Sequence, residues 1–316
     1  MKIITGNEFE INSRGSVVTV GGFDGIHIGH QALINEVLKC ASCRNYNSIL
    51  LTFETHTRIA LGQEREPFLL SPIEEKIEIL KNYPLDYVVF LDPTPELLNT
   101  SSEDFIKNFL IEKLHTRRLV LGFNHHFGKN REGSPVYLAE TIKEWNFVLT
   151  LFPPIFINGE IVSSSKIREF ICKGDIESAN KMLGRPYSVY GMVVEGQKLG
   201  RKLGVKTANL KVHPYKLLPH NGVYVVEVVY KNKVFKGVAS VGTRPTVDGK
   251  KAITEVHIFD FDKEIYGEYL KVNFLKYLRP ERKFESIEEL KDAIHHDIGE
   301  AQAYFKNPLS LSRHDI

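Results

Sequence analysis

The residues best suited to chemistry stand at Gly22-Phe23-Asp24-Gly25-Ile26-His27-Ile28-Gly29-His30, where a β-branched run, Ser16–Phe23, gives way to helical periodicity over Gln31–Cys43. His30 stands three positions after His27, so in a first helical turn the two imidazoles share a face. Gly25 and Gly29 let the backbone approach a ligand closely. The helix N-terminus adds partial positive charge and N–H groups without intrahelical acceptors. Together these make a polyphosphate site, with two imidazoles donating to oxygens that gain charge in a transition state. Two alternatives stand beside this. One is a pair of core histidines, against which the glycine-rich setting argues. The other is a metal pair, although no third ligand stands nearby at metal spacing.

Other segments carry weaker signals by themselves. In Val162-Ser163-Ser164-Ser165-Lys166-Ile167-Arg168, Ser164 or Ser165 would cap a helix over Lys166–Cys172. Lys166 and Arg168 would add fixed charge at its start, yet an ordinary helix start reads the same way. If Thr207–Leu210 is extended, Thr207 and Asn209 point to one face. Two small oxygen-bearing side chains there suit Mg²⁺ with substrate phosphates. The stretch contains no Gly-x-x-x-x-Gly-Lys-Ser/Thr, so it is not a P-loop. Alternation in Ile253-Thr254-Glu255-Val256-His257-Ile258 puts Glu255 and His257 opposite Thr254, Val256 and Ile258. Glu255 is either a general base or a solvent-facing strand residue.

Taken in order, these motifs resemble those of the bacterial bifunctional riboflavin kinase/FAD synthetases. Gly-x-Phe-Asp-Gly-x-His-x-Gly-His is similar to the HxGH signature of the nucleotidylyltransferase superfamily. Leu121–Gly133, including Asn124, resembles the second adenylyltransferase motif, and Val162–Arg168 the Ile-Ser-Ser-Thr-x-Ile-Arg motif. Gly200-Arg201-Lys202-Leu203-Gly204-Val205-Lys206-Thr207-Ala208-Asn209 resembles the riboflavin kinase motif, with Lys206 where proline is usual. Asn221-Gly222-Val223-Tyr224, Gly242–Thr246, Ile265-Tyr266-Gly267 and the stretch from Arg279 to Phe284 extend the match to about residue 305. The resemblance implies ATP-dependent phosphorylation of riboflavin to FMN, then adenylylation of FMN to FAD, both with Mg²⁺. It implies phosphate contacts from His27, His30, Asn124, Ser164 and Arg168. Gly22, Phe23, Asp24, Gly25, Gly29, His56, Ser165 and Lys166 are implied around them. In the kinase it implies Glu255 as the base, Thr207 and Asn209 at the metal, and Gly200, Arg201, Gly204, Tyr224 and Arg279 at the ligands. Phe53-Glu54-Thr55-His56-Thr57 departs from Phe-Glu-Pro-His-Pro, which predicts a looser loop and reduced adenylyl transfer. A kinase with a weakened or inactive first domain, or a non-catalytic flavin-binding regulator, are the competing readings.

The elements that must position these groups fall into two patterns. Strand and helix alternate through the first half, predicting a doubly wound parallel sheet of Rossmann-like, HxGH type. Ser48–Phe53 reads as a buried strand. Ser71-Pro72-Ile73-Glu74 reads as a capping box opening a helix. After Gly184-Arg185-Pro186 come short strands with glycine-bearing turns and one closing helix, Ile287–Phe305, capped by Ser286 and Glu289. That predicts a small antiparallel β-barrel. The expected domains are 1–183, the FMN adenylyltransferase; 184–306, the kinase barrel; and 307–316, a tail.

Composition sets the outer bounds. The 316 residues are 42% hydrophobic and 25% charged, an ordinary globular balance. Net charge is +2, divided as −4 over residues 1–183 and +6 thereafter, which argues against bulk nucleic-acid binding. No apolar run approaches the ~20 residues of a spanning helix, and no signal peptide is read. Three cysteines predict reduced thiols and a cytoplasmic protein, Cys40-Ala-Ser-Cys43 included. ATP, riboflavin and FMN are the expected partners, with neither nucleic acid nor membrane.

Overall fold

A computed structural model describes residues 1–11, 14–129, 132–196, 205–246 and 249–306. The chain forms two compact units, Met1–Ser164 and Ser165–Ile316. Gly200, Arg201 and Gly204 of the kinase motif and the 307–316 tail lie outside the described residues.

The first unit is built on a six-stranded, wholly parallel sheet of β1 (Lys2–Thr5), β2 (Ser16–Val20), β3 (Asn47–Phe53), β4 (Tyr87–Leu91), β5 (Thr116–Gly122) and β6 (Val148–Phe152). Their order is β1-β4-β3-β2-β5-β6. The central strands are continuous apolar runs because both of their faces are covered. Val18, Leu51 and Leu119 face one core with Phe105 and Phe109. Val17, Leu50 and Val88 face the other, with Ile34 and Val37 of helix α1 (Ile28–Ser42). From β2 the chain winds outward through β3 to β4, then returns to β5 on the other side of β2. The carboxyl ends of β2 and β5 therefore flank a topological switch point, where such sheets bind ligands.

Short helix α2 (Thr57–Ala60) follows β3, and α3 (Ile73–Leu80) leads to β4. Helix α4 (Pro95–Leu98) precedes α5 (Ser102–Phe105), which continues as a π-helix over Ile106–Lys113. Helix α6 (Pro135–Trp145) is capped by Ser134, and strands β7 (Phe156–Ile157) and β8 (Glu160–Ile161) form a hairpin. The capping box expected at Ser71 does not form. Pro72 is the N-cap of α3 without a side-chain bond, because the Ser71 hydroxyl accepts the Gly25 N–H at 2.8 Å.

The second unit starts with α7 (Ser164–Lys173, from its second residue) and α8 (Ile176–Leu183), ahead of the boundary expected at 184. Asn180 ties α8 to the strands: its amide donates to Phe274 O at 2.9 Å and accepts from Tyr187 N at 2.6 Å. A closed antiparallel barrel follows, made of β9 (Tyr187–Val194), β10 (Ala208–Val212), β11 (Gly222–Tyr230), β12 (Lys233–Thr246), β13 (Gly249–Ile258) and β14 (Tyr269–Arg279). Helix α9 (Ile287–Lys306) closes against it through Ala301 and Phe305, which pack with Val225 and Val238. Ser286 caps α9 through the Glu289 N–H at 3.1 Å. The Glu289 carboxylate reaches back to Glu285 N, one residue earlier than a capping box requires. No described helix is long and apolar enough to cross a membrane.

Candidate active sites

The Gly21–His30 loop leaves β2 at the switch point. It is wound tightly enough that two non-glycine residues, Phe23 and Ile26, take positive φ of 46° and 39°. Such conformations cost ~1–3 kcal/mol each and persist where packing over-determines them. Here both side chains are sealed in the core, at 1% and 0% exposure. Asp24 holds the loop from the other side. Its carboxylate accepts the Leu70 N–H at 3.1 Å and the Ser71 N–H at 2.9 Å. Phe23 and Asp24, expected to touch ligand, thus use their side chains to hold the loop.

His27 is the N-cap of α1, its Nδ1 accepting the His30 N–H at 3.3 Å. The imidazoles of His27 and His30 stack with centroids 3.6 Å apart. The sequence setting argued against burial, yet His27 is buried at 7% exposure while His30 is half-buried. The reason is local, since His30 lies against the ring of core residue Phe23, 5.0 Å between centroids, and brings His27 with it. Gly29 makes room for the stack: a Cβ there would fall 3.1 Å from the His27 ring.

Two other segments meet this loop, and a third follows the neighbouring strand β5. His56, following β3, lies 4.0 Å from where a Gly22 Cβ would stand and packs edge-on against Phe68. Ser164 donates its hydroxyl to the Asp24 carbonyl at 2.8 Å, joining positions 140 residues apart. Asn124 follows β5, its Oδ1 3.8 Å from a Cβ on Gly122. Farther along the Asn124 motif, Glu132 accepts the Ser102 N–H at 2.8 Å. At Thr55 and Thr57 the loop turns into a helix. Thr57 begins α2, at a position that also suits proline, and His56 caps it by accepting from Arg58 N at 3.2 Å. Arg58 in turn pairs with Glu64 at 3.2 Å and lies over Phe68. Ser165, Lys166 and Arg168 belong to the second compact unit, where Lys166 pairs with Glu169 at 3.3 Å.

Sequence reading missed a cation in the first site. Lys76 of α3 is 6% exposed, and its ammonium donates to the Gly22 carbonyl at 2.9 Å. Desolvation lowers its pKa to about 8, against the opposing pull of Asp24.

In the second unit a cavity of about 330 Å³ is lined by Thr207, Glu255, His257, Arg279, Glu281 and Asp297, among others. Glu255 lies opposite Asn209 of β10 and Ser240 of β12 in the strand register. Thr254, Val256 and Ile258 are buried on the other face, so Glu255 is turned to the cavity rather than to bulk solvent. His257 donates from Nδ1 to the Lys206 carbonyl at 2.8 Å, tying β13 to the residue before Thr207. Lys206, in the place of the usual proline, also pairs with Asp262. The Asn209 amide lies where a Gly196 Cβ would stand, so residue 196 must be small.

Arg279 is gripped by a residue that sequence reading missed. Its Nε and Nη2 each donate to the Asp297 carboxylate at 2.7 Å. Asp297 is buried in the Ala293, Asp297, Ala301, Phe305 stripe of α9, and an acid at that spacing was the available signal. Tyr224, implied at the ligands, is fully buried in the barrel against Phe274 and Tyr277 and donates to His220 O. Its neighbour Val223 lines the cavity.

A family model for FAD synthetase matches residues 9–166, and one for riboflavin kinase matches residues 183–305. The chain belongs to the bifunctional riboflavin kinase/FMN adenylyltransferase family. Among its relatives, the Haemophilus influenzae protein of that name is 34% identical over 93% of this chain and 96% of its own. The one from Buchnera aphidicola (subspecies Schizaphis graminum) is 36% identical over 96% and 99%. The Escherichia coli protein is 32% identical over 96% and 98%. A solved Streptococcus pneumoniae structure described as a macrolide-efflux protein is 31% identical, with a TM-score of 0.83 over 95% of this chain and 99% of that one. This chain is therefore a two-domain enzyme of flavin cofactor synthesis, with the adenylyltransferase first and the kinase second.

Proposed function

We propose that residues 184–306 phosphorylate riboflavin at the Glu255 cavity and that residues 1–183 adenylylate FMN at the Gly22–His30 loop. The observation that carries this is the convergence of His56 and Ser164, from distant sequence, on the loop that holds the imidazole pair.

In the kinase step Glu255 takes the proton of the riboflavin 5′-hydroxyl as that oxygen attacks the γ-phosphorus of ATP, and ADP leaves. Arg279, fixed by Asp297, borders the flavin. The donor set fits a divalent cation, because Thr207 brings a hydroxyl to the Glu255 cavity and Asn209 pairs with Glu255 across the strands. Thr207 and Asn209 would hold Mg²⁺, which when bound neutralises charge on the transferring phosphoryl group.

In the adenylyl step a phosphate oxygen of FMN forms a bond to the α-phosphorus of ATP. The bond to the β-phosphate breaks and pyrophosphate departs. No covalent enzyme intermediate is required, only position and charge. His27, His30, Asn124 and Ser164 steady the phosphates. His56 and the backbone at Gly22, Gly25 and Gly29 line the nucleotide. The free thiols of Cys40, Cys43 and Cys172 suit a reducing compartment, and we place the enzyme in the cytoplasm.

Chromatography of products from riboflavin, ATP and Mg²⁺ tests the scheme. FAD is expected, with FMN as its precursor, and chelation of Mg²⁺ stops both. FMN alone would return the first domain to an inactive relic, and no product would favour a binding protein.

A further inference from the structure

Lys76 occupies an unusual place for a lysine. It sits on the buried face of α3, with 6% of its surface exposed, beneath the loop that carries the imidazole pair. Its ammonium donates to the Gly22 carbonyl at 2.9 Å and lies 3.4 Å from the Thr52 hydroxyl, which itself donates to the same carbonyl at 3.2 Å. The ring of Phe90 has its centroid 6.0 Å from the ammonium. A lysine is seldom kept in such a place for stability, because desolvating the charge costs several kcal/mol and an apolar side chain of the same length would pack there.

The geometry says what it is held for. In a trans peptide the carbonyl and the next N–H point in opposite directions. With Gly22 O drawn toward Lys76, the Phe23 N–H is turned away from it, at the first residue of the loop with positive φ. Asp24 and Ser71 fix the loop one and two residues later, but neither acts on the Gly22–Phe23 peptide. We propose that Lys76 is a positioning residue for adenylyl transfer, holding the Gly22–Phe23 peptide so that the loop is pre-shaped for the triphosphate before ATP arrives. This rests on the adenylyltransferase reading of the first domain.

The test compares wild type, Lys76→Met and Lys76→Arg, each assayed for FAD from FMN and ATP and, in the same preparation, for FMN from riboflavin. Thermal unfolding of each variant is recorded alongside. Lys76→Met is expected to lower kcat for FAD formation about 100-fold, with KM for FMN within about twofold. Kinase activity should hold, and the first domain should unfold no earlier than in wild type. Lys76→Arg, which keeps charge and donors, should recover at least about a tenth of the wild-type rate. A folded Lys76→Met with wild-type kcat overturns the proposal. So does a parallel loss of activity and of the first domain's unfolding transition, because that result assigns Lys76 to the core alone. If wild type itself makes no FAD while the kinase works, the adenylyl reading fails and the proposal falls with it.

Discussion

Lys76 has a consequence for pH at the scale of a single residue. In the folded chain burial lowers its pKa to about 8, whereas an unfolded chain would hold that proton to near the ordinary 10.5. Below both values the two states are equally protonated and stability is flat. Between them the unfolded chain binds more protons, so stability rises with pH, by about 3 kcal/mol over the interval. Denaturant unfolding of the first domain between pH 7 and 10 should show this rise in wild type and its loss in Lys76→Met. An identical slope in both would show that the proton is released elsewhere. The same residue marks a limit on what sequence discloses. Glu-Glu-Lys-Ile-Glu-Ile-Leu reads as a surface helix, and only the loop 54 positions earlier gives Lys76 a reason to face inward. Ser71 is similar: its spacing spells a helix cap, but the amide of Gly25 competes for its hydroxyl and wins.

At the scale of elements, the ion pair of Arg279 with Asp297 joins the barrel to α9, alongside the packing of Ala301 and Phe305. Arg279 keeps 22% of its side chain exposed and Asp297 only 5%, so solvent screening takes part of the interaction away. Asp297→Ala should lower the stability of the second unit by about 2 kcal/mol and leave Arg279 free to swing in the cavity. Urea unfolding, read together with KM for riboflavin, separates the outcomes. A raised KM with the expected stability loss supports the clamp, and an unchanged KM removes Arg279 from the flavin contact. Sequence pattern did well with elements whose burial is local in origin. The strands at Ser16–Phe23 and Ser48–Phe53 are legible as β-branched and apolar runs, and alternation over Ile253–Ile258 placed Glu255 opposite the buried Thr254, Val256 and Ile258. It missed β1, four residues at a sheet edge with little burial. It also missed α8, whose fit depends on Asn180 meeting strands far along the chain.

On the scale of the whole molecule, the same small-molecule economy runs through both units. Each gathers polar groups from separated segments, one on a parallel sheet and one on a closed barrel. The order of the two folds along the chain was readable from the change in periodicity after Gly184. The compact units divide at Ser164, earlier than that change, because α7 and α8 pack with the barrel. The site roles rested on motif order, and the structure adds the contacts by which Ser164 and His56 meet the first loop.

The central claim is that two independent sites act in succession, and crossing two variants with two substrates tests it most directly. Glu255→Ala and His30→Ala would each be given riboflavin or FMN, with ATP and Mg²⁺, and the flavins resolved by chromatography. Glu255→Ala should make no FMN from riboflavin, a loss of about 100-fold or more, yet convert supplied FMN to FAD at the wild-type rate. His30→Ala should stop at FMN from either starting point. If either variant, still folded, lost both reactions equally, the two-site account would be wrong.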